Sequence, residues 1–241
     1  MNRLTSAMRL DLTVQLRNNL YAIGIGAGVL VAVALSQLAS PDQMSLAVPA
    51  LMLVVVGGST LLYVAGMIIF EQDEGTLSAN IVSPLRISEY LGSKLITLTA
   101  LATLESLVMI GGAMLIMSFS AQVSFPNVPL LLGGILAIGV IYTLIGIVLI
   151  VRYESISDFL LPMSAIATML QLPSLYFLGW VEPAALLVIP TSGPGMLMRG
   201  AYVELASWEW LYGIGYTAAV ILGLTVWAYR AFQIHVVKKV G

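Results

Sequence analysis

The sequence predicts an all-α integral membrane protein with six transmembrane helices, and two observations carry that prediction. Of its 241 residues, 59% are hydrophobic and only 9% are charged, whereas a soluble domain carries about a quarter charged residues. The apolar residues also form long continuous runs, each near the roughly 20 residues that cross a bilayer as a helix. A membrane β-barrel would instead show alternating segments of about ten residues. We treat residues 1–241 as one transmembrane domain, whose six runs cover 20–40, 46–70, 95–119, 128–151, 159–180 and 209–229.

Before the first run, residues 1–19 predict an amphipathic interfacial helix. Five apolar residues recur at every fourth position and so share one helical face: Leu4, Met8, Leu12, Leu16 and Leu20. The arginines of this segment fall largely off that face, so the helix can lie in the membrane interface with its apolar side in lipid. It serves as an anchor or as a docking surface for a cytoplasmic partner, and the two roles are compatible. Its charges also interrupt the apolar run that a cleavable signal peptide would need.

Basic residues are distributed unevenly over the segments between the runs. If the N-terminus is cytoplasmic, nine of the ten Lys and Arg residues fall on inner segments and only Arg199 falls on an outer one. Lys and Arg accumulate on the cytoplasmic side of membrane proteins. The bias therefore predicts a multi-pass protein of the plasma or inner membrane with both termini in the cytoplasm.

The outer segment before the last run, residues 181–207, is too apolar for a solvated loop, yet it is rich in proline and glycine. We expect a re-entrant or interface-lying pair of short helices, broken at Pro190 and Pro194. A seventh span is the alternative. It would place the C-terminus outside and contradict the charge bias.

The cytoplasmic segment 71–94 combines charge with the pattern of a short helix. Residues 70–94 hold six charged side chains. Thr76 is placed to cap a short helix that Pro84 ends, and Leu77 and Ile81 share one face of it. The residues alone leave two interpretations open: a solvated turn, or a helix whose apolar face docks on a partner.

The order E-x-x-E-G-T-L-x-x-x-x-x-S-P-L-x-x-x-E-Y-L-x-x-K, from Glu71 to Lys94, resembles the first cytoplasmic loop of type 2 ABC-transporter permeases. In that family this loop is the coupling helix, which sits in a groove of the ATP-binding subunit. The resemblance covers nearly the whole chain, and "IPTSGPGMLMRGAY" in the outer segment is similar to the fluoroquinolone-type drug exporters of the family. The resemblance implies that coupling to the ATPase falls on Glu71, Glu74, Gly75, Thr76, Leu77, Ile81, Pro84, Leu85 and Glu89.

The partners and cofactors follow from this resemblance and from what the chain lacks. No G-x-x-x-x-G-K-[ST] loop is present to hold phosphates, so we expect no enzyme activity and no cofactor on this chain, with ATP and Mg²⁺ bound by a separate ATP-binding subunit. A six-span unit is half a pore in this family, which implies a second permease copy or a related one. The other partner is the lipid bilayer. Nucleic acid is not expected, because the net charge is −2 and no basic run occurs.

Polar residues inside the apolar runs are candidates for the substrate path. Glu105 lies about eleven residues into the third run, where a carboxylate is expected to face the bundle interior and to be hydrogen-bonded or protonated. It serves either as a proton or cation site or as an interhelical hydrogen bond. The resemblance places the path along the second and fifth runs, with Ser59 and Tyr63 on one and Thr168, Gln171 and Tyr176 on the other. Gln171 alternatively satisfies backbone carbonyls at a kink beside Pro173.

These features predict an ATP-driven exporter of a hydrophobic or amphipathic molecule, drug-like or lipid-like. A haem-exporter-like ABC permease is an alternative, although its expected histidines near the outer face are absent, since the single histidine is His235. A secondary transporter that uses Glu105 is another, although no internal repeat supports it. An intramembrane enzyme would need paired catalytic or metal-binding residues that the runs do not contain.

Overall fold

The computed structural model describes residues 3–75, 86–153, 155–181 and 184–237. Within these ranges the chain is helical with short turns and contains no strand, which confirms the all-α prediction. Among the described residues, six helices are long and apolar enough to cross a membrane, as predicted, and we call them the first to sixth spans in chain order. They are Leu20–Leu38, Pro41–Glu71, Ile87–Met117, Val128–Ile150, Ser157–Phe177 and Ser207–Val236.

The third span begins at Ile87, earlier than the predicted start at residue 95. A capping interaction sets its start, because the Glu89 carboxylate accepts a hydrogen bond from the Arg86 backbone N–H at 2.8 Å. Residues 87–94 therefore form its first two turns rather than part of a loop. Hydropathy alone places the start too late, since the charged residues in these turns have partners that the sequence does not reveal.

The second span changes geometry in its middle. An α-helix, Met44–Leu51, passes into a π-helical turn, Met52–Val56, and then into a second α-helix, Gly57–Asp73. A π-turn leaves backbone groups that need other partners. The hydroxyl of Tyr142, a fully buried residue of the fourth span, donates to the Leu53 carbonyl at 2.9 Å. The fourth span thus holds this turn in place.

The fourth span is the central helix of the bundle. In its most apolar window 83% of the residues are buried, against 28% for the first span and 22% for the sixth. It packs against the second, third and sixth spans and against a short helix of the outer segment, Ser192–Arg199. Glycines permit close contact, because Gly134 lies against Met198 and Gly146 against Val64.

The described residues of the outer segment include two short helices, Ala184–Val188 and Ser192–Arg199, of which the second is largely buried. The break between them includes Pro190, as predicted. Pro194 does not break the chain; it lies in the first turn of the second helix, where the missing N–H has no intrahelical acceptor. That this segment re-enters a membrane stays a prediction.

The face of the N-terminal helix, Arg3–Arg17, that packs on the protein overlaps the predicted apolar stripe only in part. Its buried residues are Asp11 and Gln15, whereas Leu16, on the predicted apolar stripe, is 62% exposed. The physical reason is a buried cation in the third span that Asp11 meets. The placement of this helix in a membrane interface stays a prediction.

Candidate functional site

A buried group of charges lies where the N-terminal helix meets the second and third spans. Lys94 is 1% exposed, and its ammonium forms ion pairs with the carboxylates of Asp11 and Glu71. Both acids are also buried. Each charge belongs to a different element, because Asp11 is on the N-terminal helix, Glu71 ends the second span and Lys94 lies in the third.

Two uncharged neighbours complete this group, which we call the Lys94 cluster: Asp11, Glu71, Tyr90, Ser93 and Lys94. The Ser93 hydroxyl donates to Asp11, and the Tyr90 hydroxyl donates to Glu71 at 2.6 Å. The Lys94 ammonium lies 5.2 Å from the centre of the Tyr90 ring, within the range of a cation–π interaction. The Tyr90 ring in turn packs on Phe232 of the sixth span, with centroids 5.0 Å apart.

The Lys94 cluster contains residues on both sides of the loop for which coupling to an ATPase is predicted. Of the predicted coupling residues, Glu71 belongs to the cluster and Glu89 caps the third span. Glu74 pairs with Arg17 at 2.6 Å, and Gly75 has a left-handed backbone, with φ of 68°. The remaining predicted coupling residues lie outside the described part of the chain: Thr76, Leu77, Ile81, Pro84 and Leu85.

Sequence reasoning did not single out Asp11, and it gave Lys94 as a cytoplasmic cation and as the last position of the loop motif without a partner. A signal was present in the helical spacing of the N-terminal segment. Asp11 and Gln15 are four residues apart and share a face with the half-buried Leu4 and Met8. A carboxylate centred on the face that also carries apolar residues indicates a buried cationic partner elsewhere in the chain.

A second polar site lies between the first, second and third spans. Glu105 is 1% exposed, and its Oε2 accepts hydrogen bonds from Ser59 at 2.9 Å and from Tyr63 at 3.1 Å. Its Oε1 has no hydrogen-bond partner among the described residues. The structure therefore joins three of the predicted path residues, and the interior position expected for Glu105 is confirmed.

The first span approaches this site through two glycines spaced four apart. A Cβ on Gly24 would lie 3.6 Å from Glu105 Oε2, and one on Gly28 would lie 3.0 Å from the Glu105 carbonyl oxygen. Small residues let membrane helices approach this closely. The first span is thus closely packed on the third at the depth of Glu105.

The predicted path residues of the fifth span have partners outside this site. Thr168 is exposed and donates to the Ser164 carbonyl of its own helix at 2.8 Å, and Tyr176 packs edge-on against Phe177. Gln171 donates to the Val54 carbonyl at 3.2 Å. Gln171 therefore satisfies a carbonyl at a helix irregularity, but the irregularity is the π-turn of the second span rather than a kink of its own.

An open apolar groove of about 530 Å³ runs between the first and second spans and the end of the fifth. Its lining is aliphatic apart from a few side chains, among them Gln43, Ser174 and Trp180. Val54, whose carbonyl Gln171 engages, also lines it. A groove of this character accommodates an apolar or amphipathic molecule, and we call it the lateral groove.

Comparison with known proteins places this fold in a family. A model of the Fluoroquinolones export permease protein family matches residues 2–240. The chain belongs to this family. Two relatives of the permease are named as fluoroquinolones export permease proteins, from Mycobacterium tuberculosis strains CDC 1551 and H37Rv. Each is 31% identical to it over 249 residues, with 100% of this chain and 99% of the relative covered. The resemblance to drug-exporter permeases, stated on the loop and outer motifs, is confirmed.

Proposed function

We propose that this permease is the membrane-spanning subunit of an ATP-driven ABC exporter that moves a hydrophobic or amphipathic, fluoroquinolone-like molecule out of the cell. The observation that carries the proposal is the match over the whole chain to a family named for fluoroquinolone export. The lateral groove supports it, because an apolar wall with few polar groups suits an aromatic amphiphile. Its setting is the plasma or inner membrane, with both termini cytoplasmic.

Energy reaches this subunit from outside the chain. The sequence contains no phosphate-binding loop, so a separate ATP-binding subunit hydrolyses Mg²⁺-bound ATP and docks on the loop that follows Glu71. The first and sixth spans leave most of their surface exposed within this chain. A second permease copy, identical or related, covers part of that surface and closes the open side of the lateral groove.

Docking is tested by charge placed on the predicted coupling helix. We expect Leu77→Glu combined with Ile81→Glu to abolish co-purification of the ATP-binding subunit with detergent-solubilised permease, because the two changes put carboxylates into an apolar contact. Ser78→Glu combined with Ala79→Glu adds the same charge away from the apolar face and is expected to preserve co-purification. Equal binding by both double variants would show that the ATPase docks elsewhere.

The energy source is tested in inside-out vesicles that contain the permease and its ATP-binding subunit. We expect a fluorescent fluoroquinolone to accumulate on addition of ATP and to do so in the presence of a protonophore. Glu105→Gln is expected to retain accumulation within about twofold, because its amide oxygen still accepts from Ser59 and Tyr63.

A secondary transporter that uses Glu105 is the second candidate, since that carboxylate is buried with one oxygen unpartnered among the described residues. It predicts the opposite results. A protonophore would then abolish accumulation, ATP would have no direct effect, and Glu105→Gln would be inactive.

A further inference from the structure

The Lys94 cluster joins three elements at the edge of the molecule where the coupling loop begins and ends. We propose that it makes the N-terminal helix and the loop-proximal ends of the second and third spans into one mechanical unit. Asp11, Glu71 and Lys94 are then positioning residues that carry a displacement of the loop to the N-terminal helix and onward to the first span. This inference rests on the proposed function, because it assumes that an ATPase displaces the loop.

The first support is connectivity. The ion pair between Glu71 and Lys94 joins the end of the second span to the first turns of the third, so the two helices on either side of the coupling loop are held at one ammonium. The same ammonium holds Asp11, which lies 83 positions away from it in sequence. The exposed pair between Arg17 and Glu74 adds a second tie between the N-terminal helix and the start of the loop.

The second support is the character of the contact. Apolar helix surfaces slide over one another with small changes in energy, but a buried ion pair cannot separate without leaving unpaired charges in a medium of low dielectric constant. Lys94 is held on several sides by Asp11, Glu71 and the Tyr90 ring. Moving the N-terminal helix together with the ends of the second and third spans therefore costs less free energy than moving one of these elements relative to the others.

The third support is the route beyond the N-terminal helix. Asn19, with a left-handed backbone (φ of 56°), forms a short turn between that helix and Leu20, where the first span begins. The first span then packs through Gly24 and Gly28 on Glu105 of the third. A displacement of the N-terminal helix thus reaches the first span, which forms one wall of the lateral groove.

A variant that removes the charges together separates mechanical coupling from stability. Asp11→Asn, Glu71→Gln and Lys94→Met combined leave groups of similar volume and no buried charge without a partner. The amide oxygens still accept hydrogen bonds from Ser93 and Tyr90. We expect this triple variant to have a melting temperature close to that of the wild type and to retain the ATP-binding subunit. Drug moved per ATP hydrolysed is expected to fall about tenfold, within the usual range of coupling between two sites.

Dyes attached to single introduced cysteines report the movement of the N-terminal helix directly. They label only the chosen position, because the chain contains no cysteine of its own. Thr13→Cys places an environment-sensitive dye on the exposed face of the N-terminal helix, and Ser88→Cys places the same dye on the exposed first turn of the third span. When vanadate traps the ATP-binding subunit, we expect both dyes to respond in otherwise unaltered permease. In the triple variant only the dye at position 88 should respond.

The outcomes are distinct. A triple variant that couples transport to ATP as the wild type does, or whose dye at position 13 still responds, would overturn the inference and leave the proposed function intact. If neither dye responds in the otherwise unaltered permease and ATP drives no transport, the proposed function fails and the inference falls with it. Loss of coupling with loss of the response at position 13 alone supports it.

Discussion

Lys94→Met alone is expected to destabilise the permease by about 3–5 kcal/mol, the usual cost of removing one partner from a buried ion network. The change leaves the carboxylates of Asp11 and Glu71 buried without the ammonium that both share. Methionine approximates the length of the lysine side chain, so lost charge rather than lost volume accounts for the effect. Unfolding by SDS in mixed micelles, followed by circular dichroism, measures the difference.

Arg17→Met is the matched control, since it removes a cation from the same end of the molecule. Arg17 pairs with Glu74, but the two side chains are 60% and 47% exposed, and exposed pairs contribute about 0–1 kcal/mol. We therefore expect Arg17→Met to change the free energy of unfolding of the permease only slightly. Equal losses for Lys94→Met and Arg17→Met would show that the Lys94 cluster is not buried from solvent.

Gly57→Ala is expected to destabilise the permease by about 1–3 kcal/mol or more, the cost of overpacking a filled core. A Cβ at this position would lie 2.2 Å from Cζ of the Tyr142 ring. A rigid ring in the central helix has no room to turn away, and displacing it also breaks the hydrogen bond to the Leu53 carbonyl. The same SDS unfolding measurement applies.

Gly111→Ala is the control for a helical glycine, because no described atom beyond its chain neighbours and the backbone of its own helix lies within 4 Å of the position of its Cβ. It should raise stability by about 0.5–1 kcal/mol, since alanine restricts the unfolded chain more than glycine does. In a Tyr142→Leu background Gly57→Ala should cost less than in the wild type, because leucine frees space beside position 57. An equal cost in both backgrounds would show that the contact with Tyr142 is not what excludes alanine at position 57.

The six spans are predictable from sequence because hydropathy is a local property of about 20 consecutive residues. Glu105 is predictable for the same reason, since a carboxylate stands out within an apolar run, whereas Ser59 and Tyr63 are named only because the resemblance places the path along the second span. The partners of these residues are not local. Lys94 beside an apolar run looks like any cation that marks the cytoplasmic side, and only the packed structure shows that it faces Asp11 and Glu71.

Packing also decides which of the predicted path residues contact one another. Sequence reasoning placed Ser59 and Gln171 on one path because both lie on spans that face the path in type 2 ABC permeases. In the structure, a Cβ on Gly58 would face Gln171, whereas the next residue, Ser59, donates to Glu105. Consecutive residues of a helix point about 100° apart, so two neighbouring positions of the second span serve two different contacts.

The central position of the fourth span has a consequence for biosynthesis. A helix buried over most of its length needs all its neighbours, and two of them, Ser192–Arg199 and the sixth span, follow it in the chain. When Ile150 is added to the growing chain, about 80 residues remain to be made before the last neighbour is complete. Its apolar sequence suits that interval. The side chains that later fill the core are also stable in contact with lipid before the neighbouring helices are inserted.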